Sequence, residues 1–129
     1  MTRLLSFLNR HRGLVAVSLV LKLALTGLAG AALAHHGWGA YDSATVLTLD
    51  GTVEKVVPDN PHAELVLKTA DKSWTVTLSP PSSMAARGKP ITDIRAGDKV
   101  TAVGYPNRGN PAEMRAERIT HNGFTVELR

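Results

Sequence analysis

Residues 47–57 read LTLDGTVEKVV, and this stretch decides the fold that we expect. Leu47, Leu49, Val53 and Val57 all stand at odd-numbered positions, and apolar residues spaced by multiples of two have the period of a β-strand with one buried face. Gly51 interrupts the alternation, and a glycine inside a strand is typical of a bulge or a sharp bend. The stretch therefore predicts a long, bent first strand.

Further elements follow toward the C-terminus. Alternating apolar and polar residues predict a hairpin in which Trp74 is in phase with the core. Pro80-Pro81 ends the hairpin, and the N-cap candidate Ser82 with the later Gly88 predicts a short helix. Asn122-Gly123 predicts a tight turn between the last two strands. The predicted elements are strands 63–68 and 73–78, helix 82–87, strand 99–105, a bulged strand 113–120 and strand 124–128.

This order of elements indicates the fold class. Three strands, a short helix and then two or more strands, with a bent first strand, are typical of an OB-type barrel. We therefore predict an all-β protein, a small OB-like barrel of five or six strands with one short helix. An SH3-like barrel or a small sandwich is the alternative, and none of these folds decides a function.

The N-terminal region has the three parts of a secretory signal. These are basic residues at Arg3, Arg10 and Arg12, an apolar run over 14–33, and small residues at Ala32 and Ala34. The sequence predicts a signal peptide helix at 1–34 that is cleaved after Ala34, an extended arm at 35–44, a barrel domain at 45–129, and a periplasmic or secreted location. The alternative is an uncleaved membrane anchor in which Lys22 reaches the membrane surface.

Charge and cysteine content exclude several classes of partner and bond. Four of the fifteen basic residues and none of the eleven acidic ones precede His35, so the mature chain would be formally neutral. A neutral chain lacks the basic surface that nucleic-acid binding requires, and we expect no nucleic-acid partner. The chain has no cysteine, which excludes disulfides and a lipoprotein anchor.

The mature region resembles a family of small exported bacterial proteins classed as a domain of unknown function. The resemblance is carried by His35-His36, Tyr41-Asp42, Gly51-x-Val53, Asn60-Pro61-His62, Trp74, Arg87-Gly88, Gly97-Asp98 before Val100, and Gly104-Tyr105. The chain departs from the family at Lys89, where an aromatic residue follows the Arg-Gly pair in other members. The resemblance implies export and a barrel, and it implies no activity.

Histidines offer the best candidate binding site. Cleavage after Ala34 would leave His35 with a free amine that can chelate a metal together with its imidazole, and His36 and the distant His62 or His121 could complete the ligand set. Nitrogen donors of this kind suit Cu(II), Zn(II) or Ni(II), and a planar nitrogen set favours copper. The alternatives are a solvated arm, a His62 that hydrogen-bonds the backbone at the start of a strand, and an exposed turn residue at His121.

The sequence contains no signature of an enzyme, such as a thiol nucleophile, a Gly-x-Ser-x-Gly elbow or a phosphate loop. We therefore expect a non-catalytic, exported binding protein that captures a transition metal such as copper through His35 and His36, with His62 assisting. The alternative is a metal-independent adaptor that binds a protein, peptide or glycan through the barrel face or a strand edge.

Overall fold

The computed structural model describes residues 37–129, and the predicted signal peptide, His35 and His36 lie outside that range. The elements are β1 Leu47–Val57, β2 Glu64–Lys68, β3 Ser73–Thr77, α1 Pro81–Ala86, β4 Lys99–Pro106, β5 Glu113–His121 and β6 Phe124–Glu127, with short 3₁₀ turns at Trp38–Ala40 and Ile91–Asp93. Residues Ala40–Arg129 form one compact unit. No helix within 37–129 has the length and apolar character needed to cross a membrane.

The strands close into a barrel. β1, β2 and β3 form an antiparallel meander, β1 also pairs with β4, and β4 pairs with β5. A short parallel pairing of β3 with β5, over Thr75–Thr77 and Glu113–Arg115, completes the ring. β6 adds an extra strand on β5. This topology confirms the predicted OB-like barrel with one short helix.

β1 differs from its prediction in one detail. The pairing with β4 runs without interruption through Gly51, and the bulge in the pairing with β2 lies between Val53 and Lys55. Gly51 serves a different purpose, because a Cβ atom there would lie 2.5 Å from the carbonyl oxygen of Lys68. The glycine is therefore required for the close approach of β2, and the bulge is formed at Glu54.

α1 begins one residue earlier than predicted, and its first turn has no serine cap. Pro81 is the first helical residue, and Pro80 occupies the N-cap position without a side-chain hydrogen bond. Proline suits the first helical position because it has no N–H to satisfy and its φ is already helical. Gly88 follows the helix at φ +83°, as the sequence predicted for its C-terminal glycine.

The β5–β6 region follows the prediction closely. The pairing of β4 with β5 shifts after Val103, which leaves Glu117 as the extra residue of a bulge in β5. Asn122 and Gly123 both have positive φ, 52° and 74°, as a two-residue type I′ hairpin turn requires.

The inward faces of the strands form one core. Leu65, Val76, Met84, Met114 and Ile119 are each at most 1% exposed, and Trp74 is buried with them as predicted.

Candidate functional site

A short segment before β1 runs along the end of β4. The Ala40 carbonyl accepts a hydrogen bond of 2.9 Å from the Arg108 N–H, and Tyr41 forms a β-bridge with Asn107. The buried Tyr41 hydroxyl donates to a Glu113 carboxylate oxygen at 2.6 Å. Burial, followed by this hydrogen bond, raises the pKa of Tyr41 above its usual value. The neutral phenol thus fastens the segment to the start of β5.

His62 lies on the same side of the barrel, beside a buried arginine. Arg115 extends outward from β5, is 9% exposed, and donates from Nη2 to His62 Nε2 at 3.1 Å. Burial lowers the pKa of both groups, and the Arg115 charge lowers that of His62 further. Because a guanidinium can only donate, His62 accepts at Nε2 as a neutral imidazole.

This arrangement bears on the predicted role of His62 as a metal ligand. The Nε2 lone pair that would bind a metal already accepts from Arg115, and a cation stands 3.1 Å away. Within residues 37–129 no three histidine or carboxylate side chains come together as a possible metal site. His35 and His36, the other predicted ligands, lie outside the described residues. Of the predicted set His35, His36 and His62, the described residues therefore contain His62 alone.

The expectation that His121 is an exposed turn residue is wrong. It is the last residue of β5 and is 2% exposed, because it lies two positions after the buried Ile119 and so points to the same inner face of the barrel. His121 Nδ1 lies 3.3 Å from Lys89 Nζ, and Nε2 lies 2.9 Å from an Asp98 carboxylate oxygen. Its two ring nitrogens are therefore both engaged by charged side chains.

A polar face lies on the outside of β1, β4, β5 and β6. Thr101 donates to Asp50 at 2.5 Å, Lys99 donates to Thr52 at 2.7 Å, and the Thr120 and Thr125 hydroxyls are 2.7 Å apart. A shallow depression of about 260 Å³ is lined by Asp50, Lys99, Thr101 and Thr120 of this face and by the Asn122-Gly123 turn. We call this surface the threonine face.

The sequence profile of one family, described as a family of unknown function (DUF6152), matches residues 23–115. The chain belongs to the DUF6152 family. That membership confirms the resemblance seen in the sequence. No curated protein matches this DUF6152 chain.

Several solved structures are similar to the DUF6152 chain at low identity. A complex of TiaS with a transfer RNA and ATP matches at 20% identity and a TM-score of 0.48, over 68% of this chain and 19% of the other. The Stn1–Ten1 complex of S. pombe matches at 13% identity and a TM-score of 0.49, over 59% and 57%. A ZRD-deleted mutant of TiaS with agmatine matches at 18% identity and a TM-score of 0.48, over 67% and 27%. In each case the matched region is less than two thirds of the other chain.

Sequence reasoning did not identify Arg115 or Lys89 as important residues. The two apolar neighbours of Arg115, Met114 and Ala116, gave a weak signal that this arginine stands in a buried strand. Lys89 gave a clearer one, because the chain departs at this position from the resemblance noted in its sequence. In both cases the partner is a histidine distant in sequence.

The His62–Arg115 contact predicts a pH dependence of stability. The pKa of His62 is lowered from its usual 6.5, first by burial and then by Arg115, so the unfolded chain takes up this proton before the folded chain does. The contribution of His62 to the free energy of unfolding is therefore complete above pH 6.5. It decreases as the pH falls through that value toward the lower pKa of His62 in the folded state. Urea unfolding at a series of pH values should show a smaller loss of stability on acidification in His62→Gln than in the wild type. Identical pH profiles would contradict the prediction.

Proposed function

We propose that this DUF6152 protein is an exported, non-catalytic binding module that captures a transition metal, Cu(II) in the first place, at its mature N-terminus. The observation that carries the proposal is the position of His35-His36 directly after the predicted signal-peptidase site at Ala34. A terminal amine and an imidazole on one residue close a chelate ring, and the next imidazole adds a third nitrogen.

The geometry of the barrel supports a site made mainly by these terminal residues. The imidazoles of His62 and His121 already have protein partners, which leaves them less available to a metal. Ala40, the first residue of the compact unit, is hydrogen-bonded to Arg108 and lies five positions after His35. We include His62 only as an assisting ligand, because a metal there would have to displace Arg115.

The test uses untagged protein that is expressed from the full-length sequence in a Gram-negative host and recovered from the periplasm. Intact mass should give a chain that begins at His35, and calorimetric titration should give one Cu(II) per chain. Replacing both His35 and His36 with alanine should weaken binding by about 100-fold or more. His121→Gln is the matched control, with expected affinity equal to that of the wild type.

Two outcomes would reject the proposal. One is a recovered chain that still begins at Met1, since the amine of His35 would then not exist. The other is Cu(II) binding of unchanged affinity in the double alanine variant. A loss of affinity in His62→Ala alone would support the assisting role of His62.

A metal-independent adaptor is the second candidate, and the threonine face favours it. This face combines a carboxylate, an ammonium group and several hydroxyls around a depression, which suits a polar peptide or glycan. Metal-free protein that is recovered with a stoichiometric bound partner would support the adaptor. Stoichiometric metal without a partner would reject it.

A further inference from the structure

His121 connects three segments at one end of the barrel. His121 is the last residue of β5. Its two partners are Lys89, which follows the C-terminal end of α1, and Asp98, which precedes β4. Lys89 is itself only 8% exposed, and its ammonium group lies 5.3 Å from the centre of the Phe124 ring in β6. A buried lysine and a buried histidine in contact are uncommon, because each would normally remain hydrated or paired with an anion.

The hydrogen-bonding capacities of the three groups define the proton arrangement. Lys89 can only donate, so His121 Nδ1 must accept, and an ionised Asp98 can only accept, so Nε2 must carry the proton. Asp98 is ionised because the Arg95 backbone N–H and then His121 hydrogen-bond its carboxylate and lower its pKa. Neutral His121 satisfies both neighbours.

A second proton on the ring would disturb only one of the two contacts. It would add an N–H at Nδ1, directly facing the Lys89 ammonium at 3.3 Å, so two cationic donors would oppose each other. The contact with Asp98 would become an ion pair. Protonation therefore favours release of Lys89 and retention of Asp98.

We propose that the hydrogen-bonded group Lys89–His121–Asp98 holds the C-terminal end of α1 against β5 and is sensitive to acid. We call this group the latch: when His121 takes up a proton, Lys89 is released and the end of α1 is released with it. Among residues 37–129, the charged groups that face the latch are Lys89 after α1, and Asp98 with Arg95 before β4. The residues that β4 and β6 place beside His121, Val100 and Phe124, carry no charge.

Release of Lys89 has a defined structural consequence. The Lys89 N–H caps α1 by donating to the Met84 carbonyl at 3.0 Å, and Met84 is fully buried in the core. When the lysine leaves, the contact of its ammonium group with the Phe124 ring is lost and the cap on α1 is loosened. The opened state would present apolar surface around Met84 at acidic pH.

Hydrogen exchange measured by mass spectrometry tests the latch on protein expressed from the full-length sequence. Between about pH 8 and about pH 5, the range in which histidine changes charge, protection of the 84–89 amides should decrease in the wild type after correction for intrinsic rates. The expected decrease is about tenfold or more, since uptake of one proton changes an opening equilibrium by up to tenfold per pH unit.

Two variants isolate the cause. Lys89→Met removes the opposing cation, so protonation of His121 only strengthens the contact with Asp98, and protection should increase on acidification. His121→Gln offers an acceptor and a donor that do not titrate, so protection should not depend on pH. Lys72→Met removes a different lysine that lies over an aromatic ring, that of Trp74, and this control should keep the wild-type response at 84–89.

The proposal is overturned if wild-type protection at 84–89 is the same at both pH values. It is also overturned if Lys89→Met loses protection as the wild type does, or if Lys72→Met abolishes the response. Because none of these measurements involves copper, failure of the latch and failure of the metal proposal are distinguishable.

Discussion

Replacing Gly104 with alanine is expected to lower the free energy of unfolding by about 4 kcal/mol or more, enough to unfold a small domain. Gly104 lies in the middle of β4, between Leu47 of β1 and Ala116 of β5. A Cβ atom at this position would overlap the carbonyl oxygen of Arg115 and lie 2.7 Å from the Ala116 Cα. These are backbone atoms at the β5 bulge, which cannot move aside as a flexible side chain can.

The matched control is Gly109→Ala in the exposed loop after β4. A Cβ atom there would lie 3.6 Å from its nearest neighbour, the Asn107 Oδ1 atom, which is an ordinary contact. The free energy of unfolding of Gly109→Ala should stay within about 0.5 kcal/mol of the wild-type value in urea unfolding monitored by circular dichroism. If Gly104→Ala were as stable as this control, the close packing of β4 on β5 would be wrong.

Leu65→Ala is expected to destabilise the barrel by about 2–5 kcal/mol, the range measured for truncation of buried leucine. Leu65 is fully buried in β2, where it is paired with Val76 of β3 and Val56 of β1. Truncation removes apolar contacts and leaves a cavity that three paired strands cannot collapse to fill. Chemical denaturation with a common m-value should give this difference as a shift in midpoint.

Val46→Ala is the matched control, because it truncates an aliphatic side chain that is exposed rather than buried. Val46 precedes β1 and is 62% exposed, so its truncation should change stability by no more than about 0.5 kcal/mol. Equal effects of the two substitutions would contradict the inward orientation of Leu65.

The alternation in the sequence was sufficient to predict the barrel. Trp74, Val76 and Leu78 lie in the core because a strand has period two and one face is buried, and no distant information is needed to see this. The type I′ turn could likewise be predicted from its own two residues, Asn122 and Gly123. The first residue of α1 could not be predicted in this way, because both Pro81 and Ser82 are typical of a helix start and only the backbone shows which of them begins the helix.

The histidine environments could not be predicted from local pattern. Lys89 and Asp98 are 32 and 23 positions from His121, and they meet it only because α1, β4 and β5 converge at one end of the ring. The neighbouring Asn-Gly turn suggested exposure, but the phase of β5 decides burial. Arg115 and His62, 53 positions apart, illustrate the same limit.

The seam between β3 and β5 has a consequence for the order of folding. Only three residue pairs join these strands, and nearly forty positions of chain separate them. Every other pairing in the ring is antiparallel and longer, and the β1–β2–β3 meander consists of local connections. Because the entropic cost of bringing distant segments together precedes the gain from so few contacts, we infer that the seam closes last, after the meander and the β4–β5 pair have formed.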